Sequence, residues 1–222
     1  MSSNGPSTAP GRQTRPRLPL RAAAVALALA GALAATAPTA QATDHGGNSS
    51  SRCGGRGVDS GALIRYESDI LIKAPLRTIW KLQTDVEGWP AWQPPVTSME
   101  RLDHGPLRKG SQFRWTTPAP ATPTTPETTL EITSTVQRMR NQACILWKGP
   151  AIGEGLRIDE GVHLWTFREV KGGVRVHTEE TWTGDQVEAD VPTATEALGQ
   201  GLEAWLRDLK ATAEARSGPR PH

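Results

Sequence analysis

A chain of 222 residues has room for one domain with tails or, at most, two small domains. A formal net charge of +2, with no Lys/Arg block in the body of the sequence, gives no case for a nucleic-acid partner. Single cysteines on two distant segments, Cys53 and Cys144, are not a metal signature.

The N-terminus is organised differently from the rest. Arg12, Arg15, Arg17 and Arg21 precede an apolar, Ala-rich run from Ala22 to Ala37, and no acidic residue occurs before Asp44. With the small-x-small site Ala40-Gln41-Ala42, this pattern predicts a secretory signal peptide over 1–42, cleaved after Ala42, and hence a secreted, extracellular protein. The run is short against the roughly 20 residues of a spanning helix, so no stable membrane anchor is expected after cleavage. No Arg-Arg pair and no Leu-x-x-Cys pattern before Cys53 is present, which favours general secretion. Residues 43–60 are rich in Gly, Ser and Asn and read as a flexible linker. The folded domain is expected over 61–216, with a disordered tail over 217–222. Export permits a disulfide. Pairing Cys53 with Cys144 would staple the linker to the domain; the alternative is a half-buried Cys144 and a free Cys53.

Ile64 to Lys73 alternates, with Ile64, Tyr66, Ser68, Ile70 and Ile72 on one face and charges on the other, as in a half-buried strand. Pro75 is placed to open a short helix over Leu76–Thr84. Asp85 is placed to cap a second one, which Pro90 limits. Val96–Leu102 and Ser111–Thr117 read as strands. The four prolines between Pro118 and Pro126 predict an extended surface loop. Leu130, Ile132, Ser134 and Val136 mark the next strand, and Ala143–Lys148 its partner. Gly149–Gly155 reads as a flexible loop. Gly161–Arg168 and Val174–Thr183 form a hairpin if Gly172 and Gly173 make its turn. That register sets Phe167 against Thr178, Trp165 against Glu180 and His163 against Trp182, and their face is the buried one because the other carries most of the charges. Beyond Asp190, Leu198, Leu202, Trp205, Leu206, Leu209 and Ala213 recur at helical spacing along one stripe. The order is strand, two short helices, about six strands and a long helix: an α+β domain whose antiparallel sheet is covered by the terminal helix.

Several segments resemble those of a known family. Ile72-Lys73-Ala74-Pro75 followed by Ile79-Trp80 resembles the strand-to-helix start of SRPBCC proteins. Trp89-Pro90-Ala91-Trp92-Gln93-Pro94 resembles their Trp-x-x-Trp-Asn-Pro element, with Gln93 in place of the usual Asn. Gly110-Ser111-Gln112-Phe113-Arg114-Trp115 looks like the Gly-Thr-x-Phe-x-Trp strand. His163-Leu164-Trp165-Thr166-Phe167, Gly172-Gly173 and Glu179-Glu180-Thr181-Trp182-Thr183-Gly184 are similar to the last hairpin. Over Ile64–Glu214 the chain thus resembles the START-like SRPBCC superfamily, in its polyketide-cyclase/dehydrase-like branch. The resemblance implies a helix-grip fold (START/Bet v 1-like), in which a curved antiparallel sheet wraps a long C-terminal helix around a cavity. It also implies a small hydrophobic partner: a lipid, a polyketide or another aromatic. The Pro-rich loop over 117–128 is long for the family; it is a candidate to gate a cavity mouth, the alternative being an inert surface loop.

The sequence contains 8 Trp against 1 Tyr and 2 Phe. Trp115, Trp147, Trp165, Trp182 and Trp205 fall on predicted inward faces. Together with Trp92 they are candidates for an aromatic-lined pocket; the alternative is that the rings fill the core. Glu180 lies mid-strand on the apolar face, where a lone carboxylate is costly to bury. It is a candidate to orient a ligand or to act as an acid/base, against a purely structural hydrogen bond or ion pair. His163, diagonally near it, is the second acid/base candidate, against a satisfied core histidine. Ser134 and Thr178 are candidate polar contacts. No nucleophile motif, phosphate-binding loop or metal-ligand spacing appears, and no cofactor is expected. Three readings follow: a secreted binder of a hydrophobic ligand, a cyclase- or dehydrase-like enzyme using Glu180 and His163, and a structural protein with a filled core.

Overall fold

The computed structural model describes residues 52–218. The expected signal peptide, the first part of the expected linker and the last four residues lie outside the described residues. Among the described residues no helix is long and apolar enough to cross a membrane.

The chain begins with β1 (Ile64–Ile72), α1 (Leu76–Thr84) and a 3-10 helix over Val86–Ala91. Six strands follow: β2 (Ser98–Arg101), β3 (Gln112–Ala119), β4 (Thr128–Arg140), β5 (Cys144–Gly153), β6 (Leu156–Val170) and β7 (Gly173–Thr183). The short α2 (Asp185–Glu188) leads into α3 (Val191–Ser217). All seven strands form one antiparallel sheet in the order β1-β7-β6-β5-β4-β3-β2. The sheet is curved, and α3 lies in its concave face, as expected for a helix grip. The predicted stripe of α3 is the buried one: Leu198, Leu202, Trp205, Leu206, Leu209 and Ala213 are all nearly inaccessible. Asp190 caps α3, its carboxylate accepting from Thr193 N–H at 3.2 Å. The 3-10 helix is started differently from expectation. Asp85 makes no side-chain cap; its carboxylate instead accepts from Lys81 at 3.3 Å, and Pro90 lies inside the helix.

Further sequence expectations need correction. The β6–β7 turn is Lys171-Gly172, so Val170 faces Gly173 and the register moves by two residues. Phe167 therefore meets Val176, Trp165 meets Thr178 and His163 meets Glu180. The cause lies at Gly173. A Cβ there would stand 2.3 Å from the Ile72 carbonyl oxygen, so this glycine is required by the close approach of β1 and is already part of the strand. A shift of two keeps every side chain on its predicted face.

The segment Gly149–Gly153, expected as loop, continues β5 to the tight turn at Glu154-Gly155. At Gly149 a Cβ would sit 1.8 Å from the Thr133 carbonyl oxygen, and the β5–β6 register shifts between Gly149 and Ala151. Glycine here is the mark of a bulge that bends the sheet.

The Pro-rich segment is not wholly a loop. β3 runs on through Pro118, paired with Thr129, to Ala119, paired with Thr128. The β2–β3 pairing ends at Thr116, opposite Ser98, so Pro118 occupies a free edge where its missing N–H costs no ladder bond.

Of the expected linker, Cys53 is fully buried. It is bonded to Cys144, with their Cα atoms 5.5 Å apart. With Cys144, Leu146 and Leu164, and with Val58 and Val162 at the margin, it forms a small second core on the convex face. The convex face, read from its charges as solvated, is apolar at this patch.

Two further contacts fix the margins. The outer backbone of β1 is met by α3, where Lys210 donates to the Leu71 carbonyl at 2.7 Å and Glu214 accepts from Lys73 N–H at 2.8 Å. Beyond β2, Asp103 organises the turn by accepting from Arg101, from the Ser111 hydroxyl at 2.8 Å and from Gln112 N–H. Arg101, then Ser111, hold the Asp103 carboxyl below its ordinary range. A carboxylate with a lowered folded pKa stabilises the fold above its unfolded pKa of about 3.9 and loses that effect as pH falls through the native value. Asp103→Asn is therefore expected to lower the melting temperature at pH 7, with the gap to wild type closing on acidification. A gap that stays constant down to pH 2 would contradict the assignment.

Candidate functional site

The space between sheet and α3 is divided. In one half it is filled: Trp89, fully buried on the 3-10 helix, meets Phe113, Trp115 and Trp205 edge-on at 5.5, 6.0 and 4.9 Å and the tilted Trp147 at 5.7 Å. In the other half lies a cavity of about 290 Å³. Its roof is α3, where Ala194, Ala197, Gly201 and Ala204 line the void and contribute almost no side-chain volume. Its floor is Leu130, Ile132 and Ser134 of β4, Trp147 and Ala151 of β5, Ile158 and His163 of β6, and Glu180 and Trp182 of β7. Pro120, Thr122, Thr124 and Thr125 of the β3–β4 turn, with Gln186 and Val187 of α2, line it as well.

Of the sequence-predicted residues, Trp115, Ser134, Trp147, His163, Glu180, Trp182 and Trp205 line this cavity. Trp92, Trp165 and Thr178 do not. Trp165 is fully buried in the filled half, 6.0 Å from Trp205 by ring centroids, and Trp92 packs edge-on against Trp205 at 6.5 Å. Thr178 lies behind His163. Trp115, Trp147 and Trp205 stand at the boundary, packed against Trp89 on one side and facing the cavity on the other.

The corrected register sets His163 directly opposite Glu180. His163 Nδ1 stands 2.9 Å from Glu180 Oε2, and its Nε2 stands 2.8 Å from the Thr178 hydroxyl. An ionised carboxylate only accepts, so Nδ1–H donates to it; a neutral ring then accepts at Nε2 from Thr178. The second Glu180 oxygen accepts from the Trp182 indole N–H at 2.8 Å. Trp115 Nε1 donates to the Ser134 hydroxyl at 3.2 Å. The imidazole is thus fixed in tautomer and orientation, and both of its nitrogens are engaged inside the protein. Glu180 retains free lone pairs and is the acidic group of the floor. It is partly open, with 16% of its side chain exposed, whereas His163 is sealed at 5%.

Sequence reasoning missed the small-residue row of α3 and Gln93. Ala194, Ala197, Gly201 and Ala204 follow the helical repeat i, i+3, i+7, i+10, a signal visible beside the Leu/Trp stripe. Gln93, at the position where the resembling element has Asn, is 1% exposed, lines the cavity, and has neither amide atom hydrogen-bonded.

The family model for "polyketide cyclase / dehydrase and lipid transport" proteins matches residues 64–214, more than half of the chain. The chain belongs to this family. The family takes hydrophobic-ligand-binding or polyketide cyclase/dehydrase-like roles. Among solved structures, a protein of Thermus thermophilus is similar, at 17% identity and a TM-score of 0.54, over 69% of this chain and 99% of that one. A START superfamily protein from Mycobacterium smegmatis is similar at 14% identity and a TM-score of 0.54, over 68% and 98%. The di-domain ARO/CYC StfQ of the steffimycin biosynthetic pathway is similar at 17% identity and a TM-score of 0.54, over 70% of this chain but 52% of its own length. At such identities the likeness is one of fold. No curated protein matches the chain.

Proposed function

We propose that this family member is an exported binder of a small hydrophobic or aromatic molecule, held beneath α3 with a hydroxyl or amine hydrogen donated to Glu180. The supporting observation is the cavity of about 290 Å³, walled largely by indoles and aliphatic side chains, with the partly open Glu180 carboxylate in its floor. It lies at the lower end of the roughly 300–1,000 Å³ typical of small-molecule pockets, where apolar walls supply affinity and a few polar groups set orientation. The unpartnered Gln93 amide is a second polar group that a ligand can satisfy. The basic-then-apolar N-terminus supports export.

Titration with 2-naphthol and with naphthalene, followed by tryptophan fluorescence, tests this. Wild type is expected to prefer the naphthol. Glu180→Gln, which exchanges a charged acceptor for a neutral one, is expected to lose about tenfold of that preference and leave naphthalene binding unchanged. Equal affinity of wild type for the two probes, or no binding of either up to their solubility limits, would sink the proposal.

One observation favours a second, catalytic reading. The chain Thr178–His163–Glu180 holds a carboxylate and an imidazole in contact at a cavity wall, an arrangement suited to taking a proton from an acidic carbon or hydroxyl of the ligand. In that case His163→Asn removes turnover while naphthol affinity stays within a few-fold of wild type. A binder shows an affinity change alone.

A further inference from the structure

We propose that the convex face of the sheet holds a divalent transition-metal ion, of the Zn²⁺ type, between Glu67, His177 and Glu179. β7 alternates across the sheet, so Glu179 points away from the cavity that Glu180 lines. The β1–β7 register sets Glu67 directly opposite Glu179, and His177 lies two residues along on the same face. The three side chains each offer one ligand atom, all within 4.8 Å of one another. Strand pairing makes this cluster from segments more than a hundred residues apart, which is why no ligand spacing is visible in the sequence.

Two of the three groups are left incomplete by the protein. The Glu179 side chain is 3% exposed. Its Oε1 accepts from Arg65 Nε at 2.6 Å, but its Oε2 is buried with no hydrogen-bond partner, and His177 Nε2 is likewise buried and unpartnered. A desolvated carboxylate oxygen without a donor is costly, and so is an idle ring nitrogen beside it. A cation bound by both removes the two deficits at once. Arg65 also contacts Glu67 Oε2 at 2.7 Å. Two carboxylates, one guanidinium and a neutral imidazole sum to a net charge of −1, which leaves the cluster attractive to a dication. One imidazole nitrogen with two carboxylates suits Zn²⁺, Co²⁺ or a similar borderline ion better than Ca²⁺ or Mg²⁺, which favour all-oxygen shells. Glu67 is exposed and leaves the site reachable from solvent.

The test is titration of the chelator-treated, untagged, disulfide-intact protein with Co²⁺, read by visible absorption, followed by displacement with Zn²⁺. One equivalent is expected to bind, with Zn²⁺ bleaching the signal. His177→Ala and Glu67→Gln are each expected to weaken binding by about tenfold or more. Glu67→Gln changes an exposed side chain and keeps the test decisive if His177→Ala does not fold. Absence of a saturable signal up to millimolar Co²⁺ overturns the proposal. So does a titration that either variant leaves unchanged, or one abolished by His163→Asn and not by His177→Ala, which would move the ion to the cavity.

Discussion

Trp89→Ala is expected to destabilise the protein by about 3–5 kcal/mol, the cost of truncating a fully buried indole in a site that cannot collapse. Trp89 is inaccessible to solvent, and its rim is held by four aromatic rings at 4.9–6.0 Å. Each edge-on pair adds about 0.5–1.5 kcal/mol to the area term. Its indole N–H also donates to the Gln83 carbonyl at 3.2 Å, which the variant leaves unpaired. Urea unfolding followed by far-ultraviolet circular dichroism measures the loss. Three of the four neighbours, Trp115, Trp147 and Trp205, also line the cavity. The same variant should therefore weaken naphthol binding although Trp89 touches no ligand. A destabilisation of about 1 kcal/mol, ordinary for a point substitution, would show that the aromatic cluster repacks freely.

Reducing the Cys53–Cys144 bond, or replacing both cysteines by alanine, is expected to cost about 4–5 kcal/mol, because the bond closes a loop of 91 residues in the unfolded chain. For a domain of this size that is a drop of roughly 10–15 °C in melting temperature. The reduced protein should also expose Leu146 and Leu164, which Cys53 helps to cover. Ligand affinity should change little, because the bond lies on the convex face. Calorimetry with and without reductant decides the point: a melting temperature unmoved by reduction would mean that the bond restrains nothing.

The legible parts of the fold were those encoded by one-dimensional periods. The alternation of Ile64–Ile72 marks β1, the Leu198–Ala213 stripe marks the buried face of α3, and the Trp-rich alternation from His163 to Trp182 identifies the inward faces of β6 and β7. What was not legible depended on how separate strands meet. Gly173 reads as a turn glycine until the carbonyl of Ile72 is known to lie against it. Gly149 reads as loop until Thr133 is placed behind it. Pro118 argues against a strand unless β2 is known to stop at Thr116's partner. The candidate site shows the same division. Glu180 stands out because it breaks an apolar pattern, and His163 because it shares that pattern. Their direct contact required the true register. The hollow itself was hidden because it follows from small residues, Ala194 to Ala204, and a search for chemical groups passes over alanine and glycine.

An antiparallel sheet that does not close leaves two margins, and each is a template on which another extended chain can grow. At one margin the free carbonyl of Leu71 and the free N–H of Lys73 are already bonded to Lys210 and Glu214 of α3. At the other, β3 outruns β2 and presents Pro118, which has no N–H to offer. The covering helix and a single proline therefore blunt each margin at one stretch, where an added strand would find no free backbone partner. Blunting of this kind disfavours the edge-to-edge pairing of copies that high protein concentration otherwise promotes.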